Sequence, residues 1–303
     1  MSANLLYDHP GPRARVRNRV LSLVFAVLLL AGLYGIYRSF DSTDQWTWQK
    51  WQPFFQTVTL PGGQEVNFWT DYAVPGLLGT LRAAATAMLF ALAFGLVFSA
   101  ARLSEHRWIR VPAGVVVEFF RAVPVLLMIF FLSYGGFWVF GTLIEPFWSV
   151  VIGLTFYNGS VLAEAFRSGI LAVPKGQSEA AYSLGLVKSQ VMRMILVPQA
   201  ARTMLPVIVS QLVVVLKDTA LGYIVSYPEL MLEGSKSSAV FGNAVPTFMV
   251  LAMIYIVINA TLTLVAHLLK RRADRRGVTN TSTKAAAANA AAAGLGGGVG
   301  VAG

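Results

Sequence analysis

Apolar residues run along this chain in long blocks separated by short polar breaks. The first block, Val20 to Tyr37, follows a polar stretch over residues 1–19 that carries Arg13, Arg15, Arg17 and Arg19 against Asp8. Five more blocks cover about 74–100, 111–133, 147–173, 203–226 and 244–269. Each of these five exceeds the roughly 20 residues a helix needs to cross about 30 Å of hydrocarbon. The blocks are long and do not alternate with period two, so they predict helices rather than barrel strands. The expected fold is all-α: a polytopic membrane protein of about six transmembrane helices. A basic start before an apolar run also fits a signal peptide. The first block is long for that, and no convincing small-x-small cleavage site follows it, so an uncleaved span is predicted.

Composition agrees. With 56% hydrophobic and 13% charged residues and a mean hydropathy of +0.62, the chain is too apolar for a water-soluble domain. The absence of cysteine excludes a disulfide framework, thiolate chemistry and Cys-based metal sites. His9, His106 and His267 show no metal-ligand spacing, and neither metal nor cofactor is expected.

The net charge of +10 raises nucleic acid as a partner until the charges are placed. Seventeen of the 24 Lys and Arg residues fall in alternate polar segments: the N-terminal tail, the 101–110 loop (Arg102, Arg107, Arg110), the 174–202 loop (Lys175, Lys188, Arg193, Arg202) and the tail from Lys270 to Lys284. The opposite loops hold only Arg38, Lys50 and Lys236. By the positive-inside rule both termini and the 174–202 loop are cytoplasmic, and the basic excess is topogenic rather than nucleic-acid-binding. The 38–73 loop then lies outside, where Trp46, Trp48, Trp51 and Trp69 suit the membrane interface. From about Thr279 the sequence is rich in Ala and Gly, and residues 273–303 are expected to be disordered.

Seven acids and bases fall inside the predicted spans: Arg82, Glu118, Arg121, Glu164, Arg167, Lys217 and Asp218. A charge at the bilayer centre costs about 2.5–3.5 kcal/mol, so each is expected to have a partner or to face a polar cavity. Glu118–Arg121 and Glu164–Arg167 share i, i+3 spacing, which puts acid and base on one helix face. They are read either as neutralised pairs that stitch helices together or as parts of an inner gate. Arg82, Lys217 and Asp218 reach the middle to outer membrane, and their positive excess suits a carboxylate-bearing substrate. The alternative is a local Lys217–Asp218 pair with Arg82 snorkelling outward.

The most informative break is Pro174 to Leu186. Pro174 and Gly176 are expected to end the preceding helix, Ser178 to N-cap a helix of about two turns with Glu179 in its first turn, and Gly185 to close it in a left-handed conformation. So short a helix needs a partner to pack against. No Gly-Lys dipeptide of a nucleotide-binding loop occurs, so ATP hydrolysis is expected elsewhere.

Glu179-Ala180-Ala181, Gly185, Ile195 and Pro198 form a spaced motif that resembles the signature loop of permease subunits of bacterial ABC importers, with Val197 where that family usually has Leu. The resemblance extends over most of 74–269. Arg121-Ala122-Val123-Pro124, the run from Asn158-Gly159-Ser160 to Ile170, and Leu216-Lys217-Asp218-Thr219 are similar to the polar amino-acid branch, that of histidine and glutamine permeases. The chain as a whole looks like the permeases of actinobacterial glutamate uptake systems. The resemblance implies the type I permease fold, with residues 74–272 as its core, 174–202 as the coupling loop and 20–37 as an extra span. It further implies a plasma-membrane importer of polar amino acids, glutamate among them, with a dimer of ATP-binding-cassette subunits, a second permease subunit, an extracytoplasmic binding protein and membrane lipid as partners. In such a permease Glu179, Ala180, Ala181, Gly185, Ile195 and Pro198 couple to the ATPase. An ion-gradient-driven secondary amino-acid transporter is the alternative that intramembrane charges and broken helices also fit.

Overall fold

The computed structural model describes residues 11–265 together with Leu268. The tail 273–303, the basic residues from Lys270 onward, His9 and His267 lie outside the described residues.

Among the described residues, five helices are long and apolar enough to cross a membrane, and a bent pair, counted as one span, brings the number to six. Helix α1, Pro12–Ser42, starts before the first apolar block, with Pro in its first turn, and buries none of its residues. A small cap of two short elements follows: α2 (Trp48–Trp51), and a hairpin in which β1 (Val58–Thr59) pairs antiparallel with β2 (Glu65–Val66). Aromatic rings hold the cap together. Trp46 stacks on Tyr37 at 6.0 Å and on Trp51 at 6.3 Å, and the buried Phe54 and Phe68 rings meet edge to face at 4.7 Å. Trp69 Nε1 donates to the Phe54 carbonyl at 2.9 Å, so the ring that begins the next helix also fixes the cap.

A π turn, Trp69–Ala73, leads into α3 (Val74–Arg102), and α3 packs along α7 (Pro146–Leu171) to form the centre of the molecule. Small residues make this seam possible. Ala83, Ala84, Ala87 and Ala91 are buried along it, and a Cβ at Gly95 would lie 2.9 Å from Leu162 Cβ.

Between α3 and α7 the span expected over 111–133 is broken. Helix α4 (Arg107–Ala122) ends at Val123, and the chain restarts as α5 (Val125–Phe130), a π turn, and α6 (Gly136–Phe140). The two halves bend by 96°. Pro124 is the cause: it pushes the preceding residue to an extended conformation, and Val123 sits at ψ 127°.

After α7 come α8 (Lys175–Ser183) and α9 (Lys188–Val191), then a π turn over Met192–Leu196 and α10 (Val197–Asp218), which tightens into a 3₁₀ stretch, Thr219–Val225. The stretch between the last two spans, expected as a loop bearing Lys236, is instead mostly helical: α11 (Leu230–Phe241) precedes α12 (Ala244–Val265). Glu229 caps it, accepting from the N–H groups of Met231 and Leu232 at 2.8 Å each. Its small residues let neighbours close in: a Cβ at Gly234 would meet Leu251, and one at Gly76 of α3 would lie 2.9 Å from the Leu230 Cα. The cap rests on this end. Lys50 Nζ donates to the Gly242 carbonyl that closes α11, and Asn243 Nδ2 donates to the Lys50 carbonyl at 2.8 Å.

A candidate coupling segment and a candidate translocation pocket

Helix α8 projects at the same end of the molecule as the turn between α3 and α4. It starts at Lys175 with Pro174 as its N-cap, four residues earlier than expected. Gly176 therefore lies inside the helix instead of ending the previous one, and Ser178 is interior, its Oγ donating to the Lys175 carbonyl at 2.8 Å. Proline won the N-cap position because its fixed φ suits a helix start and its missing N–H leaves no donor to satisfy. The C-terminal end follows expectation. Gly185 has φ +79°, its N–H donates to the Tyr182 carbonyl at 2.9 Å, and the Leu186 N–H donates to the Ala181 carbonyl at 3.2 Å. This paired closure needs a left-handed residue, which a side chain disfavours.

The faces of α8 differ. Ala181 is 4% exposed and packs inward, whereas Glu179 and Ala180 are exposed and Leu184 is 82% exposed beside Tyr182 and Val187. Ile195 lies in the π turn before α10 and the exposed Pro198 in its first turn, so the motif spans the whole path from α8 to α10.

Both i, i+3 pairs form. Arg121 Nη1 lies 3.6 Å from Glu118 Oε1, and Arg167 Nη1 lies 3.1 Å from Glu164 Oε1. A fifth residue, treated in the sequence as a loop charge, joins them. Arg102, at the C-terminus of α3 with its side chain 13% exposed, reaches Glu164 at 2.7 Å and Glu118 at 3.4 Å. The five charges thus tie α3, α4 and α7 at one level. Sequence reading gave each acid its local base and had no reason to seek a third cation; the buried end of α3 could have been the signal, since an Arg there needs a counter-charge.

At the opposite end Arg82 lines a pocket of about 410 Å³ with Glu145, Phe147, Tyr227 and Glu233. Its guanidinium lies over the Phe147 ring, 4.6 Å from the centroid. Glu233 is neutralised by Lys236 at 2.7 Å, which leaves Arg82 and Glu145 as the pocket's unlike charges. Lys217 and Asp218, at the end of α10, do not line this pocket. The cations expected to act together are thereby separated, because α10 passes into its 3₁₀ stretch before reaching Tyr227. Glu145, Tyr227 and Glu233 carried no sequence signal: they lie in or beside stretches read as loops.

Between the two ends, the amides of Asn158 on α7 and Gln211 on α10 meet in the interior. Gln211 Nε2 donates to Asn158 Oδ1, and Asn158 Nδ2 donates to the Leu154 carbonyl at 2.9 Å.

The arrangement has relatives. The model of the family described as binding-protein-dependent transport system inner membrane component matches residues 91–275. The chain is 42% identical over 226 residues to the glutamate transport system permease protein GluD of Corynebacterium glutamicum, covering 74% of this chain and 79% of that one. It is 34% identical to the probable glutamine ABC transporter permease protein GlnP of Bacillus subtilis, over 65% of this chain and 91% of the relative. Among solved structures, an amino acid ABC transporter crystallised with histidines superposes with a TM-score of 0.64 at 29% identity, covering 69% of this chain and all of that one. The inward-facing methionine transporter MetNI, at 18% identity and a TM-score of 0.56, shares the fold. With the family model spanning more than half of its length and its signature residues folded into an exposed helical segment between α7 and α10, the chain belongs to the binding-protein-dependent transport-system inner-membrane components, the permeases of ABC importers.

Proposed function

We propose that this permease imports polar amino acids, with glutamate as its cargo, and that it forms the translocation pathway while a separate dimer of ATP-binding-cassette subunits hydrolyses ATP. The observation that carries the reading is α8. It is a nine-residue helix that cannot be stable alone, it presents exposed Leu184 and Tyr182, and its closure depends on a left-handed glycine. A groove on an ATPase supplies the missing packing. The coupling surface comprises Glu179, Ala180 and Gly185, with Ala181 packed inward to seat the helix and Ile195 and Pro198 setting the path into α10. Glutamate as cargo is supported by the 42% identity to GluD and by 29% identity to the glutamate/aspartate import permease protein GltK of Escherichia coli.

In this reading α8 and the α3–α4 turn face the cytoplasm, and the cap and Arg82 pocket face outward. An extracytoplasmic binding protein delivers the amino acid to that outer end, and a second permease subunit completes the pore within the lipid bilayer. Arg82 attracts a carboxylate and Glu145 the ammonium group, which together suit a zwitterion; Lys217 and Asp218 mark a further step along α10. Transport follows alternating access: ATP brings the ATPase subunits together, α8 moves with them, and the pathway opens toward the loaded binding protein.

The test is glutamate uptake into proteoliposomes holding this chain with its ATPase and binding protein. Gly185→Asp and Ala181→Trp are expected to abolish ATP-dependent uptake with the spans still inserted, and Arg82→Ala to weaken it with the complex assembled. Normal uptake in both loop variants would remove α8 as the coupling element. Because the chain has no cysteine, single cysteines at Glu65, Lys175 and Lys236 read the orientation directly. On intact cells an impermeant maleimide should label the first and third but not the second.

A further inference from the structure

Lys188 and Glu105 lie outside the signature motif. Lys188 opens α9, and its Nζ sits 2.6 Å from Glu105 Oε1 in the turn that joins α3 to α4. The hydrogen bond from Lys188, together with its charge, holds the Glu105 carboxyl below the usual carboxylate range. Three residues before Glu105, Arg102 makes its bonds to Glu164 and Glu118. One turn of chain is therefore bonded on one side to the segment that follows α8 and on the other to the ends of α4 and α7. Among the described residues, no other salt bridge joins residues 175–196 to the rest of the protein.

Stability does not explain this pair. Both side chains are substantially exposed, at 45% for Lys188 and 76% for Glu105, and such pairs add little to folding. Its geometry has another consequence. The segment 175–196 is covalently continuous only with α7 and α10, so a displacement imposed on α8 reaches α3 and α4 only through packing unless a further link exists. A short charge-assisted bond supplies that link. Arg102, shielded from solvent, then gathers the three helix ends into one unit.

We propose that the Lys188–Glu105 bridge is a positioning strut of the transport cycle. It carries the movement of the coupling segment to the Arg102 cluster, so that α3 and α4 travel with α7 when the ATPase subunits close. The proposal rests on the assignment of 175–196 as the coupling segment, and it adds residues and a mechanical route which that assignment does not contain.

The experiment uses the complete complex in proteoliposomes, with glutamate uptake and ATP hydrolysis measured on the same preparation. Glu105→Lys and Lys188→Glu should each lower uptake per ATP hydrolysed several-fold while the ATPase stays bound, and the combined reversal should restore the wild-type ratio. Salt that screens the exposed pair should move the wild type toward the single variants and leave a cross-linked complex unchanged. That complex comes from Glu105→Cys with Lys188→Cys, joined by a short bis-maleimide. It should still transport, because the strut stays closed throughout the cycle. Wild-type ratios in both single reversals, absence of rescue in the combined variant, or a block of transport by the cross-link would each overturn the strut. Absence of ATP-dependent uptake in the wild type would instead remove the coupling assignment, and the strut with it.

Discussion

Helices α1 and α7 are both long and apolar enough to cross a membrane, yet none of the α1 span is buried against protein, whereas 61% of the α7 span is. The more apolar of the two is the one that buries none of its span among the described residues. Its run of Leu, Val and Phe gains nothing by leaving lipid for another helix, since lipid tails are equally apolar. Helix α7 carries Gly153, Gly159, Asn158, Ser160, Glu164 and Arg167, residues that permit close approach or demand a partner. Hydropathy thus identifies which segments enter the bilayer, while small and polar residues decide which of them pack.

This contrast can be broken by substitutions of the same kind on each side. The largest effect is expected for Gly95→Leu in the α3–α7 seam. A Cβ there already stands 2.9 Å from Leu162 Cβ and 3.3 Å from the Ala163 nitrogen, so added bulk must part the helices, at a cost of about 3 kcal/mol. Thermal unfolding of the detergent-solubilised protein should show a marked fall, and an unchanged midpoint would mean that the seam is loose. Next comes Asn158→Ala. It leaves Gln211 buried without its partner and should destabilise by about 2 kcal/mol, and Asn158→Ala combined with Gln211→Ala should cost less than the sum of the two single substitutions, because the shared hydrogen bond is lost only once.

A third effect is a slope with pH. Burial raises the Glu229 carboxyl from 4.5 to about 7, outweighing the hydrogen bonds it accepts from Met231, Leu232 and Tyr255. The folded state therefore holds this proton more tightly than the unfolded chain. The contribution is complete below pH 4.5 and is lost as pH rises through about 7, at no more than about 1.4 kcal/mol per pH unit. Glu229→Gln should flatten that part of the stability profile; a profile identical to wild type would show that Glu229 titrates normally. The smallest effect is expected for Gly35→Leu in α1, where a Cβ meets nothing within 4 Å. Unfolding of the core should move by less than about 0.5 kcal/mol. A large change there would reveal a protein surface against α1 and erase the contrast.

The same physics explains what could be read from the residues alone. The spans were visible because apolar blocks of this length have one common use, and Gly185 because few residues other than glycine close a helix at φ +79°. Helix α11 was hidden: its Glu233, Ser235, Lys236 and Ser237 read as a polar loop, while the burial that holds it, Leu230 against α3, comes from residues about 150 positions apart. The break at Pro124 lay inside an apolar block whose hydropathy does not register backbone geometry. The Arg82 pocket was half legible. Arg82 announced itself as a charge in a span, but the acids opposite it come from the start of α7 and from α11, and only the fold brings them to one place.

Gly79 shows how tightly that place is made. A Cβ on it would fall 2.1 Å from the Pro228 carbonyl oxygen, and Tyr227 Oη donates to the Gly79 carbonyl at 2.8 Å. Where one backbone lies directly on another there is no rotamer to turn and no side chain to swing aside. Beside Arg82, α3 and the Tyr227–Pro228 bend are therefore locked to each other as a single block, and neither can shift there without carrying the other along.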